Sequence, residues 1–278
     1  MPYCEVSKAK IYYEVIGEGT PMIMVHGFGL DHRIMKGCME PIFQQRSDIQ
    51  RIYFDLPGMG KTKDYDRIHH ADDMLEAVLE FIHSIIPNQS FLLAGESYGG
   101  YLARGVMVKQ KEKVAGLALL CPVIKPKKQE RVLPPHTILY KDESLLSRLS
   151  QMEKEKYLSE NVVLNEKNWH RYKNEVYVGF QKANQDFLTR IEKNYGLTFS
   201  VDEGFYDKPV VFIVGKQDSV VGYKDAFHIL DHYPLGTYAV LDRAGHYLQI
   251  EQDELFVKLI NEWLDRIETE TSKFSNSK

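Results

Sequence analysis

The sequence has few cysteines, no long apolar run and no excess of one charge, and each shortage removes a class of protein. Three cysteines, Cys4, Cys38 and Cys121, are odd in number and far apart, which gives neither a disulfide framework nor a CxxC metal site. No run of about 18 apolar residues occurs, the length a membrane-crossing helix needs. The opening residues MPYCEVSKAKIYYEV lack the apolar centre of a signal peptide, so a soluble, cytoplasmic protein is expected. With 35 basic against 39 acidic residues the net charge is -4, which offers no electrostatic case for nucleic acid or an anionic membrane. The expected partner is a small molecule. Nothing in the composition or pattern speaks to oligomeric state, and no internal repeat is visible.

What is present is apolar material in a regular order. At 278 residues and 44% apolar content, the chain can bury about three quarters of its unfolded surface and needs no staple. A hairpin is expected at Tyr3 to Ile16, followed by strands at Pro21–Val25, Gln50–Phe54, Phe91–Ala94 and Val114–Cys121. Helices are expected between them, over 31–45, 71–86 and 98–111. This alternation predicts an α/β fold, a mostly parallel sheet flanked by helices. From Pro122 to Glu203 the alternation stops, and Lys, Glu, Gln, Asn and aromatic residues take over in helix-like stretches. It resumes with a strand at Pro209–Val214, a helix near Tyr223–Asp231, a strand at Tyr238–Leu241 and an amphipathic helix over Tyr247–Ile267. The expected division is a core of 1–121 and 204–268, a helical insertion of 122–203 and a tail of 269–278.

Chemistry enters at Gly95-Glu96-Ser97-Tyr98-Gly99, directly after the apolar run Phe91 to Ala94. A strand that reverses sharply into a helix forces its turn residue into a strained conformation, and only small neighbours fit around it. A serine hydroxyl placed there becomes a nucleophile only with a base to take its proton and donors to hold the resulting oxyanion.

Candidates for each part follow in chain order. Asp218 stands just past the strand ending at Val214, where catalytic groups of parallel sheets gather, although an aspartate there also serves to cap the next helix. His246 follows the last strand beside Gly245, and its ordinary pKa suits proton shuttling at neutral pH. The order Ser97, Asp218, His246 is that of the G-x-S-x-G architecture. For the oxyanion, the backbone N–H groups of Phe28, in His26-Gly27-Phe28-Gly29 after an early strand, and of Tyr98 are the expected donors. His26 itself reads as a structural hydrogen-bonding residue, and Asp242 as a loop residue too near His246 to orient it. Asp55-Leu56-Pro57-Gly58-Met59-Gly60-Lys61-Thr62 imitates a phosphate loop, but Asp55 stands where glycine is required and Pro57 removes an amide. The pair His69-His70 lacks a ligand pattern, so no metal and no cofactor is expected.

Together these stretches resemble the α/β-hydrolase superfamily. The resemblance rests on His26 to Gly29, the Asp55 to Gly60 turn, Gly95 to Gly99, Val214 to Asp218 and Gly245-His246. It implies a sheet of about eight strands, with the helical insertion as a lid over the site. Ser97 stands where haloalkane dehalogenases and epoxide hydrolases carry Asp, which excludes those chemistries. The place after the sixth strand, where some members put their acid, reads Pro122-Val123-Ile124.

The leading expectation is therefore a serine hydrolase, carboxylesterase-like, acting on an ester-like or amide-like carbonyl through an acyl-enzyme. The same triad serves prolyl aminopeptidases, carbon-carbon bond hydrolases of ring-fission products and cofactor-free haloperoxidases. An aminopeptidase needs acidic residues facing the substrate amine, and Glu153, Glu155, Glu160, Glu166 and Glu175 are spaced like solvated helix residues. Trp169, Tyr172, Tyr177 and Phe180 either line a pocket or pack the insertion. A ligand receptor or signalling protein built on the fold is a further alternative.

Overall fold

The computed structural model describes residues 3–44 and 46–275. The chain opens with the hairpin β1 (Tyr3–Val6) and β2 (Ala9–Ile16). It continues through β3 (Thr20–Val25), α1 (Arg33–Phe43), β4 (Ile49–Phe54), α2 (Ala71–Ile85), β5 (Phe91–Glu96), α3 (Tyr98–Lys109) and β6 (Val114–Leu120). The helix expected over 31–45 is α1, and position 45 lies outside the described residues. After β6 comes the inserted segment, with the strands β7 (Tyr140–Lys141) and β8 (Val163–Leu164). Its helices are α4 (Glu143–Arg148), α5 (Gln151–Glu160), α6 (Glu166–Tyr172), α7 (Val178–Lys182) and α8 (Gln185–Glu192). The chain closes with β9 (Val210–Gly215), α9 (Lys224–Phe227), β10 (Gly236–Leu241), α10 (Leu248–Glu251) and α11 (Asp253–Ser275).

Eight strands form one sheet in the order β1-β2-β4-β3-β5-β6-β9-β10. Only the pairs β1·β2 and β2·β4 are antiparallel; from β4 to β10 every pair is parallel. Parallel strands joined by crossover helices are covered on both faces, which is why β9, and β5 up to Gly95, read as apolar runs, and both strands are buried along their whole length. Each fully buried Leu or Val there contributes about 1.5–3 kcal/mol relative to exposure. Helix α1 packs with α11, and α2 packs with α3. Helix α2 shows how the sequence builds such a layer: His70 accepts the Asp73 N–H at its N-cap, and Met74, Val78, Phe81 and Ile82 form its buried stripe.

The inserted segment is not purely helical, because β7 and β8 pair in parallel. It is tied to the core at several points. Arg104 of α3, fully buried, makes a bidentate pair with Asp202 and donates to Val123 O at 2.9 Å. Arg171 of α6 donates to Gln249 O at 2.8 Å.

Two terminal features differ from expectation. The helix expected over Tyr247–Ile267 is interrupted at Gln252, which leaves helical geometry at φ -131° and ψ 47° between α10 and α11. Helix α11 then runs to Ser275, so no tail begins at Thr269; no Gly or Pro stands there to stop the helix. Positions 276–278 of the expected tail lie outside the described residues. Among the described residues, no helix is long and apolar enough to cross a membrane.

Candidate active site

Ser97 sits between β5 and α3 at φ 54° and ψ -116°, a conformation that L-residues rarely adopt. The turn is held by its own backbone. Ser97 N–H donates to Leu120 O at 2.9 Å, and Ser97 O accepts from Val123 N and Tyr101 N. A Cβ on Gly95 would strike Gly99 O, and one on Gly99 would strike Val25 O and His26 O, so both positions require glycine for close backbone approach.

The structure brings together Ser97, His246 and Asp218. Ser97 Oγ lies 2.9 Å from His246 Nε2, and His246 Nδ1 lies 2.9 Å from Asp218 Oδ2. With Nδ1 donating to the carboxylate, Nε2 is left to accept from the serine hydroxyl. Asp218 Oδ1 accepts the N–H groups of Val220 and Val221 at 2.8 and 3.1 Å. One carboxylate oxygen thus closes the turn after β9 while the other meets the imidazole. Helix α9 begins only at Lys224, so Asp218 is not its cap.

All three side chains are buried, and their charges are coupled. Burial alone would depress the His246 pKa, but the Asp218 carboxylate, with Glu96 and Glu160 further off, outweighs it and raises the imidazole to about 9. Burial pushes Asp218 the other way, and the His246 ring with the two backbone N–H groups overcomes this to lower its pKa.

Of the two expected oxyanion donors, Tyr98 follows the serine directly in the chain, and Phe28 lines the same cavity as Ser97. Tyr98 is the first residue of α3, whose opening N–H groups have no intrahelical carbonyl. Among the described residues, no protein acceptor takes the Phe28 N–H. The Phe28 ring packs edge-on against Tyr98 and Tyr195, the latter from the inserted segment. His26 joins two loops: its Nε2 accepts the Leu56 N–H at 2.9 Å. Asp55 closes its own turn by accepting the Lys61 N–H and reaches the loop before α1 by accepting the His32 N–H. Asp242 stays on the surface, accepting from Gln217 Nε2.

Among the described residues, two groups place metal-type donor atoms close together: Cys121 with Asp218 and His246, and Asp31 with His32 and Asp55. In the first, both ring nitrogens of His246 face the partners described above. In the second, His32 Nδ1 faces Asp55 Oδ1 at 2.7 Å and Arg33 neutralises Asp31. Cys121 Sγ reaches Gly245 O, so each of these donor residues has a protein partner, which is the pattern of hydrogen-bonded clusters.

A cavity of about 1140 Å³ opens over Ser97 and His246. From the inserted segment it is lined by Lys156, Glu160, Phe180, Leu188 and Tyr195, among others, and from the core by Gly27 to Leu30. The acidic residues are not uniformly solvated. Glu160 faces the cavity and receives the Tyr172 hydroxyl at 2.6 Å and Lys156 at 2.5 Å, and Glu175 pairs with Arg171. Trp169 stacks with Tyr172 and meets Tyr157 edge-on as packing, whereas Phe180 lines the cavity under the Lys156 ammonium.

Sequence reasoning passed over two carboxylates at this site. Glu96 is fully buried, 3.6 Å from His246 Nε2. Its signal is a charged residue closing an otherwise apolar strand. Glu251 accepts backbone N–H groups from both the histidine loop and β8. No local pattern marks it.

A sheet of this order, with a serine on a strained strand-to-helix turn facing histidine and aspartate, defines a class, the α/β hydrolases. The chain belongs to the alpha/beta hydrolase family, which residues 22–259 match. An alpha/beta superfamily hydrolase from Oenococcus oeni PSU-1 is similar in structure, with TM-score 0.87 and 34% identity over 96% of this chain and 100% of that one. The 2-hydroxy-6-oxo-6-(2'-aminophenyl)hexa-2,4-dienoic acid hydrolase of Metapseudomonas resinovorans is 24% identical, covering 91% of this chain and 87% of its own. The pimeloyl-[acyl-carrier protein] methyl ester esterase of Legionella pneumophila (strain Corby) is 23% identical, covering 91% and 99%.

Proposed function

We propose that this hydrolase is a carboxylesterase-like serine enzyme acting on an ester-like carbonyl of a small molecule. The observation that carries the reading is the hydrogen-bonded series from Ser97 through His246 to Asp218. In this scheme Ser97 Oγ attacks the carbonyl carbon while His246 Nε2 takes its proton. The carbonyl oxygen becomes an oxyanion held by the Phe28 and Tyr98 N–H groups. His246 returns the proton to the leaving alcohol, giving an acyl-enzyme. A water molecule then repeats the sequence and releases the acid and free Ser97. Asp218 keeps the productive tautomer and stabilises the imidazolium.

Residues 122–203 act in this reading as a lid. Their side chains form one wall of the cavity, and substrate choice lies there. The methyl ester esterase among the relatives favours ester cleavage, and the dienoic acid hydrolase supports a second reading in which the same triad cleaves a carbon-carbon bond. Glu160, a partly buried carboxylate on the lid wall, is already engaged by Lys156 and Tyr172, which weighs against its meeting the amine of an aminopeptidase substrate.

A screen of p-nitrophenyl esters of graded acyl length, ring-fission dienoates and prolyl amides tests the reading. Multiple turnovers on an ester are expected, with Ser97→Ala losing on the order of 10⁶ in kcat. Retention of most activity by that variant would sink the assignment, and a single turnover would favour a ligand receptor.

A further inference from the structure

Glu96 ends β5 with its side chain fully buried, and neither carboxyl oxygen has a well-formed hydrogen bond. Leaving a buried polar group unpaired costs about 1–3 kcal/mol, and more for a charged one, so its retention needs a reason. Its position supplies one. Oε1 lies 3.6 Å from His246 Nε2, the same nitrogen that meets Ser97 Oγ at 2.9 Å. Oε2 lies against Gly27, where a methyl group would collide with it. The imidazole is therefore bracketed, with Asp218 at Nδ1 and Glu96 beside Nε2.

We propose that Glu96 is a positioning residue that holds the ring of His246 toward Ser97 and stabilises the imidazolium formed when the serine proton is transferred. This rests on the serine hydrolase reading. Glu96 neither makes nor breaks a bond; the proton moves from Ser97 Oγ to Nε2 and on to the leaving group. At 3.6 Å in a buried site, opposite charges attract far more strongly than in water. Other titratable groups surround the pair. Asp218 from the β9 turn, Cys121 from the end of β6 and Glu160 from α5 face His246. Cys38, Tyr195 and Tyr247 act on Glu96 from α1, the inserted segment and the histidine loop. Burial pushes the thiols and phenols of these neighbours upward, so the charged neighbours near neutrality are carboxylates. Burial also raises Glu96, opposed by His246, to about 7.

The test compares kcat/KM against pH for the wild type and Glu96→Gln, which keeps the shape and removes the charge. The acidic limb is expected to move down by about one pH unit and kcat to fall about tenfold, with KM unchanged. A folded Glu96→Gln protein with an unmoved limb and kcat overturns the proposal. A second measurement needs no variant. In the intact protein labelled with ¹⁵N-histidine, the His246 ring nitrogens are expected to respond to pH in two steps, one from Glu96; a single step overturns the proposal. A wild type that turns over none of the substrates screened above counts against the hydrolase reading, whereas an active wild type with an unmoved variant profile removes only the role of Glu96.

Discussion

The Gly245 N–H donates to Glu251 Oε2 at 2.6 Å, while the other oxygen of that carboxylate accepts from Val162 and Val163 at 2.6 and 2.9 Å. One side chain thus joins the loop that carries His246 to β8 of the inserted segment. Glu251→Ala leaves three buried N–H groups without this acceptor, at about 1–3 kcal/mol each. A marked drop in melting temperature is expected, with kcat falling more than KM rises as His246 loosens. Thermal unfolding and steady-state kinetics on one ester check both, and an unchanged melting temperature would show that the tie carries no load.

Asp218→Asn keeps the shape beside His246 Nδ1 but allows the ring the wrong tautomer. By analogy with other serine triads, kcat is expected to fall about 10⁴-fold. Less than tenfold loss, measured on the same ester, would mean that another group orients the ring.

Activity should rise with pH on the acid side, because the base is the neutral imidazole. The Asp218 carboxylate holds the His246 pKa above its ordinary 6.5, toward about 9, so the midpoint of kcat/KM is expected above 6.5. A profile from about pH 5 to about pH 10 measures it, and a midpoint below the ordinary histidine value contradicts the electrostatics described here.

Glu96 also bears on stability. Its folded pKa of about 7 lies above its ordinary 4.5, so between these values the native state binds more protons than the unfolded chain. Its contribution is most favourable below the lower value and is lost as pH rises through the upper one, by roughly 3 kcal/mol in all. Glu96→Gln is expected to match the wild type in melting temperature near about pH 4 and to exceed it near about pH 8. Parallel curves at the two pH values would refute this.

Much of the site was legible because its chemistry demands particular residue types at strand ends. Gly95 and Gly99 announce the turn, and Asp218 and His246 each follow an apolar run. What escaped was non-local or too short to carry a period. Glu251 is defined by partners at 162, 163 and 245, of which no single stretch contains all. The β7 and β8 strands have two residues each, too few for alternation to show. Glu160 and Glu175 follow helical spacing like solvated residues, and only the packing of the inserted segment turns them inward. The amphipathic pattern from Tyr247 onward carries no mark of the break at Gln252, because Gln is an ordinary helix former and leaves the helix here through tertiary context.

Ser97 and His246 are 149 positions apart, and the histidine belongs to the connection between β10 and α10. During synthesis the amino-terminal part emerges and begins to fold first. A partly made chain can therefore form the turn at Ser97 while still lacking its base. In the proposed mechanism the hydroxyl stays unactivated until the segment carrying His246 has been made and folded, so products truncated before it would carry a nucleophile in name only.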